Sequence, residues 1–160
     1  MALFDTIRAG ASGAVSFEIE RSLRFDNVSE SYLTRTPSSS GNRRTWTLSL
    51  WIKRSSIEIH NSANAHVLMD ARGSVETTFG FDSEDRFYMD IPNRISTTAK
   101  FRDVTAWQHW VIAVDTTQSS ESNRIKLYVN GVQETSFGTA NYPDQNTNIQ
   151  FNRNTNGTYV

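Results

Sequence analysis

A hairpin signal constrains the fold of this chain more than any other feature of its sequence. In the stretch RIKLYVNGVQ, residues 124–133, apolar side chains occupy every second position at Ile125, Leu127 and Val129, which is the period of an extended strand. Asn130 and Gly131 follow, and these two residue types best tolerate the positive φ angles of a type I′ turn. A two-residue turn places Leu127 opposite Glu134, so we expect the returning strand to leave the pairing early.

Strand-like segments recur along the rest of the chain. They are RSLRFD (21–26), TWTLSLWIK (45–53), HVLMD (66–70), VETTFGFD (75–82), DRFYMDI (85–91), RISTTA (94–99) and WQHWVIAVDTT (107–117). Clusters of Gly, Asn, Asp and Ser separate these runs, and no segment shows a sustained helical period. About ten short strands in one domain predict an all-β fold, an antiparallel β-sandwich or jelly roll.

The segment 107–117 is apolar on both faces of a strand. One face carries Trp110, Ile112 and Val114, and the other carries Trp107, His109, Val111 and Ala113. Such a strand is typical of the middle of a sheet that is covered on both sides. We expect Trp110, Ile112 and Val114 to be buried beneath the hairpin, with Leu127 among their neighbours.

Composition excludes several classes of protein. A chain of 160 residues fits one domain, and its 16 basic residues face 17 acidic ones without a long basic run, so nucleic-acid binding is not expected. The absence of cysteine excludes disulfides and thiolate metal sites. The N-terminus lacks the apolar core of a signal peptide, and no run of about 18 apolar residues occurs. We therefore expect synthesis in the cytoplasm and no membrane insertion.

The first 16 residues differ from the rest of the chain. Residues 9–16 are dominated by Ala, Gly and Ser, which predicts a flexible linker. The tip ahead of this linker carries Leu3, Phe4 and Ile7, and this apolar triplet either packs back on its own domain or anchors another chain. We therefore divide the chain into an N-terminal arm with linker, residues 1–16, and a jelly-roll domain, residues 17–160.

Three stretches resemble laminin G-like domains of the concanavalin A-like jelly-roll superfamily. They are LRFD…SYLTR near the start, TWTLSLWIKR in the middle and WQHWVIAVDTTQSSESNRIKLYVNGVQ later, within residues 21–151. The stretches FDTIRAGASGA, IERSLRF and RTPSSSGNRRTWT are similar to laminin G-like virion proteins of tailed phages, of tail fibre or decoration type, particularly those of marine bacteria. The resemblance implies that the Tyr-Val-Asn-Gly hairpin is part of a sandwich scaffold.

The C-terminal end departs from this family pattern. Such domains continue after the strand that resembles residues 148–152 with a Gly-containing strand and a last apolar strand, whereas this sequence ends at NRNTNGTYV. We therefore expect the jelly roll to lack its last strands within these 160 residues. A sandwich without them exposes unpaired backbone groups, which later residues or a neighbouring chain would cover.

No residues combine into a catalytic constellation. Retaining hydrolases place two carboxyl groups about 5 to 5.5 Å apart, and the acidic clusters here are Glu18 with Glu20 and Asp82 with Glu84 and Asp85. The second cluster fits a solvated turn between two strands, where Asp and Ser form local hydrogen bonds. The histidines share no metal-ligand spacing; they are His60, His66 and His109. We expect His109 to be packed and hydrogen-bonded, and we expect no enzyme activity.

Calcium and sugars are the ligands that the family resemblance implies. Some laminin G-like domains bind calcium on a loop rim to hold glycans, and four residues could supply oxygen ligands at strand ends: Asp70, Asp82, Asp115 and Asn123. The spacing of these residues singles out no metal site, and capping of turns accounts for their positions equally well. We therefore expect no cofactor, with calcium as the alternative. The aromatic residues that could stack on a sugar are Tyr32, Trp51 and Tyr142.

The resemblance favours a non-enzymatic structural component of a phage virion, a tail fibre, tail-associated or capsid-associated protein that attaches through its N-terminal arm. Its expected partners are other virion proteins in a symmetric homo-oligomeric assembly, and its expected location is the virion after synthesis in the host cytoplasm. The alternative is a carbohydrate-binding, lectin-like module that recognises a host-surface glycan. A glycoside hydrolase is the third hypothesis.

Overall fold

The computed structural model describes residues 21–25, 31–57, 65–71, 77–154 and 158–159. Within these ranges the chain forms eleven β-strands and one turn of 3-10 helix, Glu121–Asn123. The strands are β1 (Thr34–Arg35), β2 (Thr45–Ile52), β3 (Ala65–Ala71), β4 (Thr77–Asp82), β5 (Arg86–Ile91), β6 (Asn93–Lys100), β7 (Gln108–Asp115), β8 (Ile125–Val129), β9 (Val132–Glu134), β10 (Phe137–Ala140) and β11 (Thr158–Tyr159).

The strands form two antiparallel sheets. The larger sheet has seven strands in the order β1-β11-β3-β4-β5-β6-β10, and the smaller has four in the order β2-β7-β8-β9. This architecture confirms the predicted all-β sandwich. Backbone contacts divide the chain into two units, Met1–Ser31 and Tyr32–Val160, and every described strand lies in the second. None of the described residues belongs to a helix with the length and apolar character needed to cross a membrane.

Apolar side chains from both sheets form one core. Its buried members are Ala71, Phe79, Phe81, Phe87, Met89, Ile91, Ile95, Trp110, Ile112, Val114, Ile125, Leu127, Ile149 and Phe151. At its centre the ring of Trp110 stacks on Phe87 with 4.4 Å between centroids, and the edge of Phe81 meets Trp110 at 5.6 Å. The predicted inner face of β7 is confirmed, because Trp110, Ile112 and Val114 are buried and Ile112 pairs with Leu127.

The hairpin between β8 and β9 has the predicted geometry. Asn130 and Gly131 both have positive φ, 51° and 82°, as a type I′ turn requires. Val129 pairs with Val132, and the last pair joins Leu127 to Glu134, where β9 ends. The early end of the returning strand is therefore confirmed.

The second face of β7 does not have the predicted cover. β7 lies inside the smaller sheet, between β2 and β8, but His109, Val111 and Ala113 are half-buried and Trp107 is 47% exposed. The neighbouring positions explain this difference. On the same face β2 presents Thr45, Thr47 and Ser49 and β8 presents Lys126, and such polar side chains do not favour a second packed layer.

The two ends of the domain also differ from the prediction. Residues 21–25 form no strand, and Leu23 is 71% exposed. Residues 148–152 form no strand: the Ile149 N–H donates to the Arg43 carbonyl at 3.0 Å, residues 151 and 152 form a turn, and Asn152 adopts a positive φ of 64°. The last described residues do form a strand, since β11 pairs with both β1 and β3. This short strand joins the end of the described chain to the larger sheet.

Several predictions fall on residues that the structure does not describe. They concern the arm residues Leu3, Phe4 and Ile7, the boundary after residue 16, the carboxylates Glu18 and Glu20, and His60.

Candidate functional site

The face of the four-stranded sheet that points away from the core is the candidate site. We call it the outer face. Its side chains are Thr45, Thr47, Ser49 and Trp51 on β2, His109, Val111, Ala113 and Asp115 on β7, and Lys126 and Tyr128 on β8. It has an aromatic end near Trp51 and a polar end near Asp115.

The aromatic end presents a fixed tryptophan ring. Trp51 is 52% exposed and pairs with His109 across β2 and β7, so the two rings stack with 5.0 Å between centroids and 24° between planes. The His109 ring is held in turn by Ser49, whose Oγ lies 2.9 Å from Nε2. His109 is therefore packed and hydrogen-bonded, as predicted, and it supports one side of the exposed Trp51 ring.

The other two sugar-stacking candidates lie elsewhere in the fold. Tyr142 is half-buried and packs against the core, and this burial raises the pKa of its hydroxyl above the usual range. Tyr32 is 62% exposed and precedes β1, an outer strand of the larger sheet. The structure therefore does not gather Tyr32, Trp51 and Tyr142 into one platform.

The polar end is a shallow groove with a cavity volume of about 400 Å³, lined among others by Asp115, Gln118, Asn123 and Lys126. The Asp115 carboxylate accepts hydrogen bonds from the Thr117 hydroxyl at 2.6 Å and the Gln118 amide at 2.6 Å. These bonds hold the pKa of Asp115 below its usual range. The carboxylate is therefore ionised at neutral pH and serves to close the turn that follows β7.

Three of the four calcium candidates lie on strands, and the fourth, Asn123, ends the 3-10 turn. Asp115 and Asn123 line the same groove, whereas Asp70 lies on β3 and Asp82 ends β4. In the described part of the chain no three His, Asp or Glu side chains come together as a metal site requires. Calcium binding stays a prediction.

The turn with Asp82, Glu84 and Asp85 is not the solvated turn that the sequence predicts. Asp82 and Asp85 are buried, and only Glu84 is exposed. Asp82 accepts the backbone N–H of Glu84 at 2.9 Å and that of Arg86 at 3.0 Å, so the predicted local hydrogen bonds are present. The Arg86 guanidinium lies 2.9 Å from the same carboxylate.

Asp85 is buried because two arginines neutralise it. Its carboxylate lies 2.9 Å from Arg54 and 2.8 Å from Arg102. Burial alone raises the pKa of Asp85, but the hydrogen bonds and charges of Arg102 and Arg54 outweigh burial and leave the pKa below its usual range. An ionised, doubly paired carboxylate cannot donate a proton to a leaving group, so Asp85 is unsuited to act as a general acid.

Arg54 is the residue in this region that the sequence analysis missed. Its guanidinium also donates to the Phe101 carbonyl at 2.5 Å, contacts His66 Nδ1 at 3.2 Å and lies 4.4 Å above the Phe81 ring. It follows β2 in the sequence WIKR, where two consecutive basic residues suggest exposure to solvent and nothing indicates burial. A charged residue just beyond the end of an edge strand is usually exposed, so the burial of Arg54 is apparent only from its three-dimensional contacts.

The sheet order and the core define the class of protein as a concanavalin A-like β-sandwich. A laminin G-type family model, described as the concanavalin A-like lectin/glucanases superfamily, matches residues 27–159. The chain belongs to this family. No curated protein matches the chain in sequence.

Proposed function

We propose that this chain is a non-enzymatic structural component of a phage virion, in a tail or capsid position, attached through its N-terminal arm. The laminin G-like fold is compatible with a structural or a lectin-like role. The phage setting comes from the resemblance of FDTIRAGASGA, IERSLRF and RTPSSSGNRRTWT to virion proteins. Synthesis in the host cytoplasm and a symmetric assembly with other virion proteins belong to the same proposal.

The state of the carboxylates is the observation that carries the non-enzymatic part of the proposal. In the described residues the three acids of the β4–β5 turn all face cations. Arg86 lies 2.9 Å from Asp82 and 3.4 Å from Glu84, and Asp85 is doubly paired as described above. Hydrolysis of a glycoside needs one carboxyl group that keeps its proton. The two guanidinium groups stabilise Asp85 in the charged form instead.

The arm provides the attachment in this proposal. Leu3, Phe4 and Ile7 precede the linker AGASGA, and burying such side chains contributes about 1.5 to 3 kcal/mol each before the entropy of ordering the arm is subtracted. This gain is modest for one copy. Repetition in a symmetric assembly would make the attachment durable by avidity.

Incorporation into particles tests the proposal. A tagged chain is expressed during infection, and gradient-purified particles are probed for it, with Leu3, Phe4 and Ile7 replaced together by serine. The matched control replaces Asp5 and Thr6 by alanine in the same arm. We expect the control to be incorporated normally and the serine variant to remain unincorporated while its body stays folded. Normal incorporation of the serine variant, or of a chain that lacks residues 2–14, would show that the arm is not the anchor.

The purified domain should also release no sugar from host-surface polysaccharide. Glycan cleavage by the wild-type chain that disappears in Glu84→Gln would contradict the non-enzymatic proposal and favour a glycoside hydrolase.

A carbohydrate-binding role is the second candidate, and the exposed Trp51 ring favours it. A flat aromatic face held by His109 can pack against the apolar face of a sugar ring without ordering a mobile side chain first. A glycan array with the wild-type domain and Trp51→Ala tests it, and Val132→Ser serves as a control because Val132 is exposed at 72% on a different strand. Binding that is lost in Trp51→Ala alone would support a lectin. Binding that survives it would remove Trp51 from consideration.

A further inference from the structure

The outer edge of β2 is a long strand edge without a neighbour among the described residues. Among the described strands, β2 ends the four-stranded sheet and pairs with β7 alone. Its eight residues, TWTLSLWI, pair with β7 at every position without a bulge, so the edge extends for about 27 Å. The strand contains no charge, proline or glycine, which are the devices that normally protect an edge from pairing with another chain.

The other described edges lack this combination. β1 has two residues and β9 has three, and β10 has four with a register shift between Phe137 and Thr139. Short or irregular edges accept an added strand poorly. β2 is therefore the described edge that is best suited to strand addition.

Alternate residues of β2 direct their backbone groups to this edge. Thr116 donates its N–H to the Arg44 carbonyl at 2.9 Å, and in an antiparallel pair this pattern repeats at every second residue. The backbone groups of Thr47, Ser49 and Trp51 consequently point away from β7. The Thr45 N–H also points away from β7, and it donates to Asn42 Oδ1 at 2.9 Å. This donor at the N-terminal end of the edge is therefore already satisfied.

The inner face of β2 is incompletely covered as well. Leu48, Leu50 and Ile52 are half-buried although they point toward the core. Together with Leu68 and Met69 from β3 they line an apolar crevice with a cavity volume of about 10 Å³. An added strand with apolar side chains on one face would cover these residues and gain the stabilisation of apolar burial.

The charges that flank β2 decide what kind of strand fits. Arg44 precedes the strand and Lys53 follows it, and both are exposed without a salt bridge to the described residues. Two copies of β2 that pair antiparallel through this edge about Ser49 would place Lys53 of each copy opposite Thr45 of the other, next to Arg44, so like charges would meet at both ends, which repulsion disfavours. A strand with acidic residues at its ends would instead form an attractive pair with each cation.

We propose that the free edge of β2 binds an extended segment of a partner protein, in which apolar and polar residues alternate and an acidic residue stands at each end. The segment hydrogen-bonds to the backbone of Thr47, Ser49 and Trp51, and its acidic ends lie beside Arg44 and Lys53. This inference rests on the proposed function only for the location of the partner, which would be another protein of the virion. Its test uses the purified chain without particles, so it can fail while attachment through the arm succeeds.

Binding of designed peptides tests the strand site. The probe is a blocked peptide of about ten residues, long enough to span β2 and both cations, with alternating valine and threonine and a glutamate at each end. The matched probe carries lysine at both ends. Fluorescence anisotropy gives the dissociation constants, and amide hydrogen exchange reports on the backbone of residues 47, 49 and 51. We expect the glutamate peptide to bind about five- to tenfold more tightly than the lysine peptide at low salt, with less difference at high salt.

Charge reversal at the ends of β2 provides the decisive variants. In the double variant Arg44→Glu with Lys53→Glu the preference should invert in favour of the lysine peptide, because both flanking charges change sign. The control Lys126→Glu makes the same change on β8 and should leave the preference intact. Thr47→Pro removes an edge donor and should weaken both peptides equally.

Three outcomes would overturn the proposal. The first is equal binding of the two peptides by the wild-type chain, and the second is a preference that the double variant retains. The third is a concentration-dependent dimer that protects residues 47, 49 and 51 without peptide, since the edge would then serve a second copy of this chain.

Discussion

Arg54→Met should destabilise the domain by removing one partner from a buried ion pair. The side chains of Arg54 and Asp85 are 4% and 9% exposed and lie 2.9 Å apart. Without Arg54, Asp85 keeps only Arg102, whose side chain is 58% exposed, and the Phe101 carbonyl loses its donor. Breaking a buried pair in this way costs about 3 to 5 kcal/mol, because the remaining charge stays buried. The expected loss is a large part of a total stability of about 5 to 15 kcal/mol.

A second variant separates the charge from the packing of the side chain. Asp85 has a positive φ of 65°, which asparagine tolerates as well as aspartate does, so Asp85→Asn preserves the turn. Combined with Arg54→Met it removes both charges, and the double variant should lose less than about 2 kcal/mol. Urea denaturation followed by tryptophan fluorescence measures the free energy of unfolding for all variants. A loss below about 1 kcal/mol for Arg54→Met alone would refute the inference that this pair is needed to keep Asp85 buried.

Three further outcomes are expected. Because the pKa of Asp85 is lowered in the folded state, its contribution to stability is present at neutral pH and is lost as the pH falls below about 4; Asp85→Asn should flatten this part of the stability curve, and an unchanged acid slope would contradict it. Trp110→Ala should cost about 3 to 5 kcal/mol in urea denaturation, and a loss below about 1 kcal/mol would mean that the wrong face is inside. Gly80→Ala should lower stability by about 2 to 3 kcal/mol, because its Cβ would lie 2.2 Å from the His66 carbonyl oxygen; an unchanged melting temperature would argue against this close approach.

Local patterns in the sequence were sufficient to predict the hairpin and the inner row of β7. Asn130 and Gly131 determine the turn, and the turn determines the register of β8 and β9. A two-residue loop permits only one register between the two strands that it joins. The two-residue period likewise placed Trp110, Ile112 and Val114 on one face. These features depend on neighbours in the sequence, which a single sequence displays.

Features that depend on distant segments could not be predicted in the same way. The burial of Asp85 requires Arg54, 31 positions earlier in the chain, and nothing in the turn sequence indicates that partner. The outer row of β7 is apolar, yet it is only half-buried. Its burial depends on the side chains of the neighbouring strands and on whether another layer packs against this face of the sheet. The exposure of the Trp51 side chain on this face has the same cause. Its stacking with His109 becomes visible once β2 and β7 are paired.

Quantitative mass spectrometry of gradient-purified particles tests the central claim most directly. If the chain is a structural component of a virion, it should co-purify with the particles at a fixed copy number relative to the major capsid protein, unchanged by washing in high salt. If the chain is abundant in the lysate but absent from the purified particles, the structural role is wrong and the outer face around Trp51 should be considered for another function.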